Sequence, residues 1–334
     1  MNLDEALVLA TAASDAVRGT TSPNPPVGCV VLDAAGELVG SGATAPPGGP
    51  HAEVVALAQA GERARGGTAV TTLEPCNHTG RTGPCSVALV EAGIAHVHYA
   101  AADPNPQAAG GAAHLQAAGV TTSTTGTDPA PLRAWLHRQR TGRPHVTWKL
   151  AASLDGRTAA VDGTSRWITG PQARAQVHAE RARIDAIVVG TGTALADDPA
   201  LTARHPDGTL AAHQPLRVVV GHRPLPPGAQ LLDGAAQTVQ LDTHDPHAVL
   251  AALADHPDVL LEGGATLAGA FAAAGLLDRV VAYVAPVLLG AGPSALGDAG
   301  VGTIAQALRF EVESVTRVGG DVRLDLVPRA SGVR

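Results

Sequence analysis

Three residues of types that bind zinc stand in order in the first third of the chain: His51, Cys76 and Cys85. One imidazole and two thiolates suit zinc, and three protein ligands leave a fourth position open, the pattern of a catalytic rather than a structural site. A metal there lowers the pKa of bound water toward ~7, which makes hydroxide available at neutral pH. Glu53 lies two residues beyond His51, placed to exchange protons with that water without ligating the metal. Cys85 falls at an expected helix start, where the dipole favours a thiolate. H-x-E on a helix, followed by two Pro-Cys pairs, is the zinc nucleobase-deaminase arrangement. Such sites usually space their cysteines C-x-x-C, but here eight residues, Asn77 to Pro84, intervene. The insert brings His78 and Arg81 close to the metal, and a cation beside the site points to a phosphorylated substrate. Cys29, in the apolar run Val27-Gly28-Cys29-Val30-Val31, reads as core.

The second half has no G-x-G-x-x-G between a strand and a helix, which argues against a standard Rossmann site. Two glycine-containing turns follow expected strands instead. One is Val188-Val189-Gly190-Thr191-Gly192-Thr193; the other is Leu261-Glu262-Gly263-Gly264-Ala265-Thr266, leading into a helix over Leu267–Ala274. Backbone amides at that helix start are suited to a cofactor pyrophosphate.

These residues need elements to hold them. Residues 2–18 read as an amphipathic helix, with Asn2 and Glu5 at capping-box spacing. A hairpin is expected over Val27–Asp33 and Glu37–Gly42, then a helix over His51–Ala60 and a strand over Thr68–Leu73. A helix from about Pro84, a strand over Ala95–Ala101 and a helix over Ala108–Ala118 continue an α/β alternation. Residues 121–131 lack apolar periodicity, and Arg133 to Pro144 carries four arginines, so the domain junction falls between 121 and 144. The second half restarts with a strand over His145–Ala151 and a helix over Pro171–Arg183 that has proline at its first position. Further strands are expected at 186–190, 216–221, 238–241, 259–261, 280–284 and 322–326, with helices near 245–254 and 265–274. Two domains follow, 1–143 and 144–334, in keeping with a chain of 334 residues.

Composition narrows the partners. Net charge is −7, and only two Phe and two Tyr are present, which argues against nucleic acid and against an anionic membrane surface. No apolar run approaches the ~20 residues of a bilayer span. An acidic N-terminus without a signal-peptide n-region, and three cysteines in all, point to the cytoplasm. Two-domain soluble enzymes are often symmetric homo-oligomers, and one is expected here.

The string Thr72-Leu73-Glu74-Pro75-Cys76-Asn77-His78-Thr79-Gly80-Arg81-Thr82-Gly83-Pro84-Cys85 resembles the RibD family of bacterial bifunctional riboflavin-biosynthesis proteins. So do Pro23-Asn24-Pro25-Pro26-Val27-Gly28, Pro50-His51-Ala52-Glu53 and Asp103-Pro104-Asn105-Pro106. In the second half Lys149-Leu150-Ala151-Ala152-Ser153-Leu154-Asp155-Gly156-Arg157, Trp167-Ile168-Thr169-Gly170, Leu195-Ala196-Asp197-Asp198-Pro199-Ala200-Leu201-Thr202 and Glu262-Gly263-Gly264 carry the same resemblance. It implies a cytidine-deaminase-like three-layer α/β domain followed by a dihydrofolate-reductase-like α/β domain. It implies one zinc ion on His51, Cys76 and Cys85, Glu53 as proton shuttle, and Asn24, His78, Arg81, Asp103 and Asn105 around the deaminase substrate. It also implies NADPH, with Ala151, Trp167, Thr193, Asp197 and Gly264 at the cofactor and Ser165, Arg181, Leu201, Arg204 and Glu262 at the sugar-phosphate substrate. Arg181 and Arg204 are of the type that clamps a phosphate bidentately. Lys149 and Asp197 are the polar groups expected to assist proton movement in the reduction. Where family members often carry a histidine about seven residues before the metal histidine, this chain has Thr44.

The implied substrates are small phosphorylated pyrimidines. The first, 2,5-diamino-6-ribosylamino-4(3H)-pyrimidinone 5′-phosphate, would lose its ring amine as ammonia. The product, 5-amino-6-(5-phosphoribosylamino)uracil, would take hydride at C1 of its opened sugar to give the ribityl form. Two other readings stay open at this point: a nucleoside or tRNA deaminase with an unrelated C-terminal domain, and a zinc-binding protein without catalysis.

Overall fold

The computed structural model describes residues 1–78 and 83–329. The chain divides into two compact units, Met1–Arg143 and Pro144–Arg334.

The first unit opens with helix α1 (Leu3–Ala16), closed at its start by the capping box: Asn2 Oδ1 accepts from the Glu5 amide and the Glu5 carboxylate accepts from that of Asn2. Strands β1 (Gly28–Leu32) and β2 (Leu38–Ala43) form the expected hairpin, followed by α2 (Ala52–Ala60) and β3 (Thr68–Leu73). Then come α3 (Cys85–Glu91), β4 (His96–Ala101), α4 (Gly111–Ala117), β5 (Thr121–Thr124) and α5 (Arg133–Thr141). The sheet order is β2-β1-β3-β4-β5, antiparallel at β1 and parallel from β3 onward. Alternate residues of β1 face opposite ways: Cys29 and Val31 pack with Ala52 and Ala56 of α2, while Val30 and Leu32 pack with Ala6 and Ala10 of α1. The result is helix, sheet, helix in three layers. Cys29 is fully buried, as expected of a core residue. The alanine-rich helices lie close on the strands: a Cβ on Gly42 would stand 2.4 Å from the Ala52 carbonyl oxygen, so the start of α2 is set directly on the sheet.

The second unit contains β6 (His145–Ser153), α6 (Pro171–Arg181), β7 (Ala186–Gly190), α7 (Thr191–Asp197), β8 (Leu216–Val220) and β9 (Thr238–Leu241). It continues with α8 (Pro246–Ala252), β10 (Asp258–Leu261), α9 (Ala265–Ala273), β11 (Arg279–Ala285), β12 (Phe310–Val318) and β13 (Asp321–Pro328). The eight strands run in the order β12-β13-β11-β6-β10-β7-β8-β9. From β11 to β9 every pairing is parallel, and β12 and β13 close one end antiparallel. Val188, Val218 and Val259 pack under α8 and α9 on one face, and Ile187, Val219 and Leu260 pack against Leu201 and Leu231 on the other. Each fully buried aliphatic or aromatic side chain of these clusters contributes about 1.5–3 kcal/mol. Parallel strands bring their C-terminal ends to one edge, where open α/β sheets bind ligands.

Four elements differ from the expectation. β5 is a polar edge strand of threonines and serine, whose faces show no apolar alternation. Arg133–Thr141 is a helix that buries Trp135 and Leu136. Thr191–Asp197, expected as a turn, winds into α7, and β12 precedes the C-terminal strand with both faces largely exposed.

Candidate active sites

In the first unit three backbone turns deliver the metal-binding side chains. His51 is the N-cap of α2, Cys76 follows the end of β3 by three residues, and Cys85 is the first residue of α3. His51 Nδ1 lies 3.2 Å from Cys85 Sγ and 3.6 Å from Cys76 Sγ, and the three ligand atoms lie within 4.8 Å of one another. Tetrahedral zinc with Zn–S near 2.3 Å and Zn–N near 2.0 Å separates its donors by about 3.5–3.8 Å. Donor chemistry and spacing therefore fit zinc. None of the cysteines is in a disulfide.

Cys85 is paired with Cys76. Its backbone amide, at the head of α3, donates to Cys76 Sγ at 3.4 Å. Hydrogen bonding from Cys85 and then from His51 holds Cys76 down to about 4, against its partial burial. Cys85, donating to Cys76 and buried, is pushed far up. The Cys85 amide at the helix start thus serves the neighbouring sulfur, and zinc ligation would draw the proton from Cys85.

Glu53 sits in the first turn of α2, 4% exposed. Burial, then the charge of Cys76, raises its carboxyl pKa above the ordinary range. A raised carboxyl pKa suits a group that accepts a proton and then returns it. Asp103 is buried on the loop after β4, where burial raises its carboxyl to about 6. Its Oδ1 accepts from the Asn105 amide at 2.8 Å, and Asn105 Oδ1 accepts from Gln107 at 3.1 Å. Asn24 is half-buried before β1, its amide donating to Thr21 O at 2.9 Å. His78 is exposed, and Arg81 lies outside the described residues.

Glu74 is a site residue that sequence reasoning passed over. Buried just before Cys76, it accepts from the Asp103 amide at 3.2 Å and the Ala112 amide at 2.9 Å. It ties the ligand loop to the loop carrying Asp103. Its signal was a carboxylate between an apolar strand and a proline. Thr44 is buried and bonded through Oγ1 to the Val27 amide at 3.1 Å, so it fastens β2 to β1.

In the second unit the strand ends meet at two cavities of about 580 and 480 Å³. Lys149, Ala151, Ser165, Thr193, Asp197 and Glu262 line both, so the two share a wall. Arg181, Leu201, Arg204 and Trp167 line the larger, and Gly264 the smaller. All of the residues anticipated for the reduction are thereby gathered on one edge of the sheet.

The charges there are arranged differently from a two-arginine clamp. Arg181 gives Nε and Nη2 to the two oxygens of Glu262 at 2.8 and 2.9 Å, and Nη1 to Thr202 O at 3.2 Å. Lys149 Nζ donates to Glu262 Oε2 at 3.1 Å. Burial alone would push the Glu262 carboxyl up, but Arg181 and then Lys149 hold it well below the ordinary carboxylate range. Arg181 therefore has its fork on a carboxylate, and Arg204, bonded to Thr202 Oγ1 at 3.0 Å and Gly208 O at 2.9 Å, is the arginine left for a phosphate. The Leu201 side chain is buried in the core, which leaves its backbone to face the cavity. Asp197 is exposed, its carbonyl accepting from Arg166 at 3.0 Å. Trp167 is 68% exposed, with the Arg174 guanidinium 4.4 Å from its ring centre.

Two residues were missed here. His178 lines the larger cavity from α6, its Nδ1 3.0 Å from Thr202 O. Arg217, inside β8, is fully buried and donates to Ala200 O at 3.0 Å, Asp233 Oδ1 at 3.1 Å and Ala236 O at 2.6 Å. It anchors the loop that enters the cavity at Leu201. A charge within an apolar strand was its visible signal.

The profile of the cytidine and deoxycytidylate deaminase zinc-binding region matches residues 1–101, and that of the RibD C-terminal domain matches residues 144–324. The chain is 56% identical to the riboflavin biosynthesis protein RibD of Mycobacterium tuberculosis over 98% of both chains. It is 41% identical to that of Escherichia coli over 93% of this chain and 95% of the relative. Among solved structures, Acinetobacter baumannii RibD superposes with a TM-score of 0.86 at 38% identity, covering 98% of this chain and all of that one. A Thermotoga maritima diaminohydroxyphosphoribosylaminopyrimidine deaminase/5-amino-6-(5-phosphoribosylamino)uracil reductase gives 0.89 at 28% identity, over 98% and 99%. Identity above one half along nearly the whole length, with the deaminase zinc-binding region matched over residues 1–101 and the RibD C-terminal domain over 144–324, places the chain in the RibD family.

Proposed function

We propose that the two sites carry out consecutive steps of riboflavin biosynthesis, deamination in the first unit and reduction in the second. The bifunctional deaminase/reductase activity is that of the family. The observation that carries the assignment to these residues is the convergence of His51, Cys76 and Cys85 beside buried Glu53 in one unit, with a charged double cavity in the other.

For deamination, His51, Cys76 and Cys85 hold zinc, which supplies a Lewis acid that activates water at neutral pH. Glu53 takes the proton of the attacking water and delivers it to the departing amine, and its raised pKa suits both halves of that transfer. Asn24, His78, Asp103 and Asn105 contact the phosphorylated pyrimidine, and the family resemblance assigns Arg81, outside the described residues, to the same substrate. Glu74 keeps the Asp103 loop at a fixed distance from the metal ligands.

For reduction, NADPH supplies the hydride and the protein aligns donor and acceptor. Ala151, Trp167, Thr193, Asp197 and Gly264 form the cofactor side, and Ser165, Leu201, Arg204 and Glu262 the sugar-phosphate side. Arg181 and Lys149 keep Glu262 ionised, so that it accepts hydrogen bonds from sugar hydroxyls. Lys149 and Asp197 are the groups placed to move protons at the shared wall.

The partners are small phosphorylated pyrimidines rather than nucleic acid, in keeping with the net charge of −7. A homo-oligomer is supported by β12, an edge strand with Val312 and Val315 60% and 63% exposed. The cytoplasm is the compartment of these cofactors and thiols, and no helix among the described residues is long and apolar enough to cross a membrane.

The test is NADPH oxidation on adding the diamino-pyrimidinone ribosyl phosphate, in wild type and Glu53→Ala together. Wild type is expected to consume NADPH. The variant should do so only when given the already deaminated substrate. Consumption by the variant from the amino substrate would remove Glu53 from the mechanism.

A further inference from the structure

Strand β4 carries His96 and His98 two residues apart, so both rings stand on one face of the first unit's sheet. Val97, between them, points the other way and packs with Ala52 of α2 and Leu89 of α3, the helices that bear His51 and Cys85 at their starts. The histidine pair is therefore across the sheet from the zinc triad. β4 pairs in parallel with the edge strand β5, in a register that sets Ser123 beside His98. Both rings converge on that hydroxyl: His96 Nε2 lies 2.7 Å and His98 Nδ1 2.8 Å from Ser123 Oγ. The ring centres are 6.4 Å apart, with planes crossed at 66°. A hydroxyl has one proton, so it donates to one of these nitrogens and accepts from the other. His98 is 7% exposed, and its Nε2 is buried without a hydrogen-bond partner, so among the described residues this ring is held by Ser123 alone. Burial keeps His96 below the ordinary histidine value, and burial and then His96 do the same for His98, against the charge of Asp4 in the first turn of α1. Both rings are thus neutral at neutral pH, the form that ligates metals.

We propose that His96 and His98 form a second, exchangeable metal site, which takes a divalent zinc ion at the place of the Ser123 hydroxyl and clamps the edge strand β5 to β4. Two imidazoles converging on one point are a chelate for a borderline cation such as zinc, and a poor one for magnesium or calcium, which prefer oxygen. Zn–N bonds of 2.0–2.1 Å need each nitrogen to close by about 0.7 Å on the point the hydroxyl now holds. Rotation of the two rings supplies that movement, and Ser123 leaves by turning to another staggered rotamer. Water fills the remaining positions, and Asp4 supplies negative charge from the helix layer above. Two protein ligands rather than three make the ion exchangeable, in contrast to the one on His51, Cys76 and Cys85. The site is assembled only when β4 and β5 pair, so the ion stabilises that pairing by mass action.

Titration calorimetry of Zn²⁺ into the full chain, already loaded with one zinc equivalent, tests this. Wild type should take a second equivalent at micromolar free zinc, and Mg²⁺ should give no heat. His96→Gln should lose the second equivalent and keep the first. Ser123→Ala retains both rings and removes the group that the ion displaces, so it should bind at least as tightly as wild type. Hydrogen exchange on wild type gives a readout independent of any variant: the second equivalent should slow the amides of Thr121–Thr124 and His96–Ala101. A wild-type chain that stopped at one equivalent would overturn the proposal. So would a second equivalent that survived in His96→Gln, or one that protected other amides and left β5 unchanged, because the ion would then sit on other side chains.

Discussion

Replacing Glu262 by glutamine preserves the shape of the side chain and removes the charge between two cations. The Glu262 side chain is 6% exposed, that of Arg181 13% and that of Lys149 16%. Removing one partner from a buried ion pair costs about 3–5 kcal/mol, because the charge left behind stays desolvated. The two cations keep some contact with the cavity, so the lower end, about 3 kcal/mol, is expected. A carboxyl with a depressed folded-state pKa stabilises the fold above its unfolded value, and loses that stabilisation as pH falls through the folded value. The difference between wild type and Glu262→Gln is therefore full and level from roughly pH 8 to pH 5.5, and narrows below about 4.3, the ordinary glutamate pKa. In a domain of this size about 3 kcal/mol lowers the melting temperature by roughly 6–12 °C.

Hydrogen exchange read by mass spectrometry assigns the loss to a unit. Amides of β6 and β10, which pair with each other beside Glu262, should lose protection, while those of β1 and β3 in the other unit serve as the internal reference. A variant within about 1 kcal/mol of wild type at neutral pH would refute the argument, since replacing a carboxylate that bridges two cations must cost more than that. So would a stability gap that widened as pH fell toward 4, because that sign belongs to a carboxyl with a raised pKa.

Two further substitutions probe the supports of each site. Gly111→Ala would place a Cβ 1.7 Å from the Pro75 carbonyl oxygen, beside Cys76, so the ligand loop must move. Zinc affinity, measured by competition with a chromophoric chelator, should fall about 10–100-fold, with reduction of the deaminated substrate unchanged. Arg217→Met removes the donor that holds Ala200 O, Asp233 and Ala236. It should cost about 2–4 kcal/mol in denaturant unfolding of the second unit and raise KM for the ribosylaminouracil substrate, with deaminase kinetics as the unaffected control.

What was legible in the sequence was whatever local chemistry dictates. Asn2 and Glu5 close α1 because both partners lie within one turn, and the zinc triad could be read because ligand type and spacing constrain each other. The reductase residues were nameable only through resemblance, since nothing in the spacing of Lys149, Arg181 and Glu262 says that parallel pairing of β6 with β10 brings them together. That is also why Arg181 was expected to face a phosphate: an arginine's partner is decided by tertiary contact, and the carboxylate that takes its fork, Glu262, lies 81 residues away. β5 and β12 escaped for a related reason. A strand that pairs at an edge and buries little needs no apolar alternation, so Thr121–Thr124 and the exposed Phe310–Val318 resemble loops until their neighbours are known. Glu74 and Arg217 form the intermediate case. Each was visible as a charge set where an apolar residue would ordinarily pack, and each holds a loop whose own side chains do the chemistry. A buried charge in an otherwise apolar segment is therefore a signal for a backbone anchor, because carbonyls and amides from a neighbouring loop help to offset the cost of burying it.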